Sequence, residues 1–430
     1  MSEILRLAAS MKNEFVDINH LPRSILSLIP THWKRQDPNS DKNLIALTHV
    51  CRSWRALFIS YPSLWSRLEV TNTGKTIAYL DRSKSSPLKV VLCYTKSDPS
   101  LEAVLPLMAL HFRRFKSLTL NGTCDLFWSL DIYWDITPSP CISLPNLTTF
   151  RLACASDSEI TLVQLLDFFE SAPHLTDVTL VYSIPAISDA PSGRVVHLSH
   201  LKNLAISADT AHSTLLNHLS IPEGALLAPD FNFSGKESPL PHYLPKAIKN
   251  LNNLSRITTV NLHFDETTKF VQLGGPSGGL YIQCHREDWD EVGEPLDLDC
   301  PILQSLDYFP LHTTLRLAIT KYEPPSPTKV SGSSPYKFLL RMADLRSLTL
   351  TECNNLPFIL ALNPLHDPMV TLCPGLEELT LYVEERNAVH VLELVSMVKE
   401  RASRGAKLQS VTIVYLGELV PVKEVFKLRD

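Results

Sequence analysis

Residues 345–354 read LRSLTLTECN, with Leu345, Leu348 and Leu350 in the order apolar-x-x-apolar-x-apolar. The last three positions of that phrase alternate apolar, polar, apolar, so two side chains point to one side of a short extended segment. The phrase returns as FKSLTL (115–120), LTTFRL (147–152), LTDVTL (175–180), LKNLAI (201–206), ITTVNL (257–262), LEELTL (376–381) and LQSVTI (408–413). LKVVL (88–92) and TTLRL (313–317) are shorter relatives. The last apolar residues fall at 92, 120, 152, 180, 206, 262, 317, 350, 381 and 413, giving intervals of 28, 32, 28, 26, 56, 55, 33, 31 and 32. A period near 30 residues marks a repeat architecture, and the two long intervals read as double steps or as steps with an insertion.

Between the phrases lie helical patterns such as SLEAVLPLMALHF (100–112), TLVQLLDFFESA (161–172) and AVHVLELVSMVKERAS (388–403). A strand followed by a helix, repeated, gives an α/β chain with a parallel sheet buried on one side by its helices. The middle, about 207–312, is the least regular. There LSIPEGALLAPDFNF reads as extended, and KFVQLGGPSGGLYIQCH as a hairpin across Gly274–Gly279. The Pro/Ser-rich stretches 137–145 and 322–335 read as exposed loops. Residues between the leucines, including Lys116, Thr119, Thr176, Arg346, Thr349, Glu377 and Thr380, are varied and polar, which suits a protein-sized partner.

The 430-residue chain is 44% apolar and 20% charged, the balance of a soluble globular protein. Its net charge of −5 gives no reason to expect nucleic acid. The charge is uneven: residues 1–68 hold nine Lys/Arg against five Asp/Glu, a balance of +4 that leaves −9 for the remainder. The amphipathic segment 1–17 lacks a signal-peptide block, and no stretch has the apolar length for a membrane span. Nine scattered cysteines without a CxxC pair read as reduced thiols in a cytoplasmic or nuclear setting. Four N-x-S/T sequons read as chance matches.

Residues 50–68, VCRSWRALFISYPSLWSRL, concentrate two tryptophans, a tyrosine and a phenylalanine. A first helix is expected over INHLPRSILSLI (18–29), with Pro22 in its first turn and Leu21, Ile25, Leu28 and Ile29 on one face. A second, capped by Ser40 or Asp41, carries Leu44, Leu47, Cys51, Trp54, Phe58 and Tyr61 on one stripe. After Pro62 a short turn presents Leu64, Trp65 and Leu68. Three short helices in some fifty residues make a marginal domain, and its surplus apolar surface suits docking on a partner.

These residues resemble an F-box: Leu21-Pro22, an apolar helix, VCRSWR (50–55) and SLW (63–65), over residues 18–68. The repeat LRSLTLTECN is similar to the leucine-rich pattern, with Cys353 in the polar-turn position. Ser24, Pro30 and the long polar segment 30–43 depart from the F-box pattern. An F-box followed by leucine-rich repeats over 69–430 is similar to the substrate-recognition subunits of SCF-type ubiquitin ligases. The resemblance implies adaptor contact through Leu21, Pro22, Ile25, Val50 and Cys51. Trp54 and Trp65 are expected to face the adaptor in part, and Arg52 with Arg55 to form a basic rim. It further implies a cullin scaffold held through the adaptor and a target protein on the repeats. No cofactor, catalytic residue, nucleic acid or membrane is implied.

Other readings stand beside it. Residues 1–68 can instead cap the end of the repeats, and the chain can be a leucine-rich scaffold outside ubiquitin chemistry. GPSGG (275–279) fits the G-x-S-x-G elbow with Ser277 as nucleophile, but lies between two strand-like runs. His197-x-x-His200 has the spacing of two metal ligands without an evident third.

Overall fold

The computed structural model describes residues 16–33, 40–94, 100–122, 144–154, 161–181, 193–207, 212–233, 250–264, 268–275, 277–286, 309–321, 334–365, 367, 369–384, 390–416 and 422–427. The chain is mixed α/β and divides into two compact units, Met1–Asp157 and Ser158–Asp430. The 68/69 boundary read from the sequence falls elsewhere, within the strand Arg67–Val70.

The first unit begins with a 3-10 turn (Asp17–His20) and four helices, α1 (Arg23–Leu26), α2 (Leu28–Trp33), α3 (Ser40–Val50) and α4 (Arg52–Ile59). A second 3-10 turn (Pro62–Trp65) leads into β1 (Arg67–Val70), α5 (Thr73–Ser83), β2 (Leu88–Tyr94), α6 (Ser100–Ala109), β3 (Phe115–Gly122) and β4 (Thr149–Cys154). The four strands are parallel and pair in chain order, with Val70, Leu92, Leu120 and Leu152 in one register row. Those residues are buried, as period-two alternation over a helix-covered face requires.

The second unit runs α7 (Leu162–Ser171), β5 (Asp177–Val181), β6 (Val196–His197), β7 (Asn203–Ser207), α8 (His212–Leu216), β8 (Leu219–Ser220) and β9 (Leu226–Phe233). There follow β10 (Thr259–Phe264), β11 (Thr268–Gly274), β12 (Gly279–Arg286), β13 (Arg316–Thr320), α9 (Ser334–Leu340), β14 (Ser347–Thr351) and α10 (Leu356–Leu362). β15 (Glu378–Val383), α11 (Val391–Ser403), β16 (Ser410–Tyr415) and β17 (Val422–Lys427) complete it. Its main sheet has the order β5-β7-β9-β12-β11-β10-β13-β14-β15-β16-β17, and β6 pairs with β8 apart from it. All ten recurring phrases end on strands. One phrase is displaced: Ile319, not Leu317, lies between Leu262 and Leu350 in register, so the repeating element is LRLAI (315–319).

The first long interval contains β9, parallel to β7 with Pro229 beside Ile206, so it is a double step. The hairpin expected across Gly274–Gly279 forms as β11–β12, with those two glycines opposite each other. It inserts between β9 and β10, and β11 runs antiparallel to both neighbours. Gly278 permits this fit, because a Cβ there would meet the carbonyl oxygens of Ala225 at 2.4 Å and Glu223 at 2.5 Å. Asn253, buried below the hairpin, donates to Ala225 O and Gly279 O and ties the tip to β9. Among the described residues no helix is long and apolar enough to cross a membrane.

Local capping agrees with the sequence at α7. Thr161 Oγ1 accepts from Gln164 N (3.2 Å) while Gln164 Oε1 accepts from Thr161 N (3.0 Å), a reciprocal capping box. Thr161→Ala is therefore expected to cost about 1 kcal/mol, read from urea denaturation of the full chain.

The C-terminal helix α11 buries Arg401, whose guanidinium donates to Leu372 O and Cys373 O, both at 2.7 Å. Cys373 sits beside it with a left-handed backbone (φ 45°). Burial pushes its thiol up from 9.0 to about 12, opposed in part by the Arg401 charge. A raised value keeps the folded thiol neutral where the unfolded one ionises. Stability relative to Cys373→Ala is thus full below pH 9 and falls by about 1.4 kcal/mol per pH unit toward pH 12. Paired denaturation curves at pH 8 and in the alkaline range measure it. The exposed Cys93 is expected to react with iodoacetamide at neutral pH while Cys373 does not.

Candidate protein-docking surface

The N-terminal helices differ from the sequence reading in three ways. Pro22 precedes the first turn of α1 as its N-cap, with extended backbone (φ −52°, ψ 141°), and its carbonyl accepts from Ile25 N and Leu26 N. The expected continuous helix stops after Leu26 and restarts at Leu28. In a continuous helix Pro30 would leave the Leu26 carbonyl without its donor; the restart puts Pro30 in a first turn, where no donor is needed. The second expected helix breaks at Cys51, which is extended (φ −156°, ψ 170°) and serves as the N-cap of α4. Neither glycine nor proline stands there, and local propensity does not account for the break.

The stripe nonetheless packs inward, with Leu44, Leu47, Trp54, Leu57 and Phe58 buried. Trp54 meets Phe58 edge to face at 5.5 Å. Trp65 has no exposed surface. Its Nε1–H donates to Phe58 O (2.9 Å), its ring meets Tyr79 of α5 edge to face at 5.0 Å, and the Arg82 guanidinium lies 4.4 Å from its centre. The expectation that Trp54 and Trp65 face a partner in part is corrected: Trp54 is 6% exposed and Trp65 0%. Trp65 locks the segment instead, joining α4 through Phe58 O and α5 through Tyr79 and Arg82, while Trp54 packs on Phe58 of its own helix.

The aliphatic members of the same motif point outward. Leu21 is 40%, Ile25 46% and Val50 57% exposed, and Pro22, Arg52 and Arg55 are exposed with them. Cys51 is half-buried. Leu28 and Ile45 are exposed as well and were not among the expected contacts. Leu28 shares the helical face read for Leu21 and Ile25, so its spacing carried that signal; Ile45, beside the buried Leu44, had none. Exposed aliphatics and exposed arginines within one small helical segment are the chemistry that a protein-docking surface uses.

The other sequence candidates do not assemble. Ser277 lies exposed at the tip joining two strands, whereas a nucleophile elbow needs a strand-to-helix turn. His197 and His200 are exposed, and the His200 ring lies 4.9 Å from that of His174. Among the described residues no group of three or more His, Cys, Asp or Glu side chains is placed to hold a metal ion. Arg346 and Glu377 approach to 3.8 Å just ahead of β14 and β15, with side chains 65% and 39% exposed, an ion pair worth little. No protein-family model matches the chain, and no curated protein shows a significant match.

Proposed function

We propose that the chain is the substrate-recognition subunit of an SCF-type ubiquitin ligase. An F-box over residues 18–68 docks on the ligase adaptor, and through it on the cullin scaffold. Leucine-rich-repeat-like units from 69 onward form a solenoid that holds a target protein. The chain makes and breaks no bonds itself and uses no cofactor. It raises the effective concentration of target lysines near a charged ubiquitin-conjugating enzyme. The observation that carries the reading is the split within one motif: its tryptophans face inward while Leu21, Ile25 and Val50 stay outside. Arg52 and Arg55 supply the basic rim that an acidic adaptor favours.

A second reading has its own support. Trp65 packs on Tyr79 and leads directly into β1, which joins the sheet through Leu68 beside Val90. A segment so attached also suits an end cap of a repeat scaffold outside ubiquitin chemistry. Co-purification of the full chain with a recombinant ligase adaptor separates the two, since only the first reading gives a complex.

A further inference from the structure

We propose that the sheet face of the second unit opposite its buried leucines carries a trough without Asp, Glu, Lys or Arg that takes an extended, uncharged segment of the target protein bearing a proline or aromatic side chain. This rests on the reading that the repeats hold a target. One wall is His263 on β10, its ring stacked on Phe270 of β11 at 4.6 Å and 10°. The other is Tyr382 on β15. Register places the two in one row, His263 beside Thr320, Thr320 beside Thr351, and Thr351 beside Tyr382. Ala318 and Thr349 stand in the next row of the two intervening strands. The floor is therefore alanine and threonine, half-buried, alternating with the buried Leu317, Ile319, Leu348 and Leu350.

Three strand spacings separate the walls, roughly 14 Å, and five-residue strands give the trough a length of roughly 16 Å. That is room for four or five residues of extended chain with a ring between the two aromatic walls. Neither row of the trough contains Asp, Glu, Lys or Arg. Among the described residues charges stand at its ends, Arg316 and Glu378 at one, Lys321 and Glu352 at the other. A charged segment would lose its hydration over the floor without gaining a counter-charge, whereas threonine hydroxyls and ring edges suit a neutral one. Aromatic enrichment and charge depletion are the marks of the centre of a protein interface. The inserted hairpin thus does more than lengthen the sheet: its Phe270 backs the wall against which a partner ring rests.

The test is selection of phage-displayed random dodecapeptides on the full chain, followed by fluorescence-polarisation titration of the selected peptides against variants. The expected peptides have uncharged centres bearing Pro, Phe, Tyr or Trp. Thr349→Arg and Tyr382→Ala are each expected to weaken them by about tenfold or more with the thermal transition unchanged. Thr349→Ser, which keeps the floor neutral, is expected to retain binding. Enrichment of charged peptides, no enrichment, binding indifferent to Thr349→Arg, or capture of neutral glycans in place of peptides each overturns the proposal. The selection is independent of the adaptor, so failure here and failure of the ligase reading are told apart.

Discussion

Replacing Trp65 by alanine is expected to lower stability by about 3–5 kcal/mol, the cost of emptying a fully buried aromatic site. The ring is enclosed on every side, edge to face with Tyr79 and covered by the Arg82 guanidinium. Alanine loses the packing, the aromatic pair and the indole hydrogen bond to Phe58 O together. Trp65→Phe keeps most of the packing and loses the donor, so an intermediate cost of about 1–2 kcal/mol is expected. Urea denaturation of the full chain measures both. A loss under about 1 kcal/mol for alanine would mean that Trp65 is not the lock described here.

Arg401→Leu is expected to cost about 2–5 kcal/mol. The guanidinium has no exposed surface, and it closes the loop before β15 by donating to the carbonyls of Leu372 and Cys373. Leucine fills part of the volume and ends the desolvation of a buried charge, which favours the variant. Against this, the Leu372 carbonyl loses its donor at about 1–3 kcal/mol, the Cys373 carbonyl keeps only the one from Leu376 N, and the left-handed turn at Cys373 loses its side-chain clamp. The second effect is the larger, since among the described residues no carboxylate holds the charge and the guanidinium reaches two carbonyls of the loop at once. Arg401→Lys is expected to fall between, because one ammonium cannot reproduce a planar fork aimed at two carbonyls. Equal midpoints for wild type and Arg401→Leu would refute the assignment.

Much of the fold was legible because it is written locally. The apolar-x-x-apolar-x-apolar phrase encodes strand geometry and side, and every instance ends on a strand. The hairpin glycines are likewise a short-range signal. What was not legible depends on distant partners. Nothing within KFVQLGGPSGGLYIQCH says that the hairpin inserts between β9 and β10, and the slip at Leu317 shows only beside Leu262 and Leu350. The candidate docking surface was legible in part of its membership and not in its direction. Helical periodicity placed Trp54 and Trp65 on an apolar stripe, but a stripe has no label for core or partner. Tyr79 and Arg82, which claim Trp65, lie beyond the motif.

The most direct measurement is calorimetric titration of the full chain with purified ligase adaptor, wild type beside an Ile25→Asp/Val50→Asp variant. Both substituted residues are about half exposed, so carboxylates there are expected to leave the melting temperature unchanged while placing two charges in an apolar contact. The account predicts a one-to-one complex for wild type that weakens with added salt, and a loss of about 100-fold or more in the variant. A folded wild-type chain that takes up no adaptor, or a variant that binds as wild type does, would contradict it and leave residues 18–68 as the end cap of the repeats.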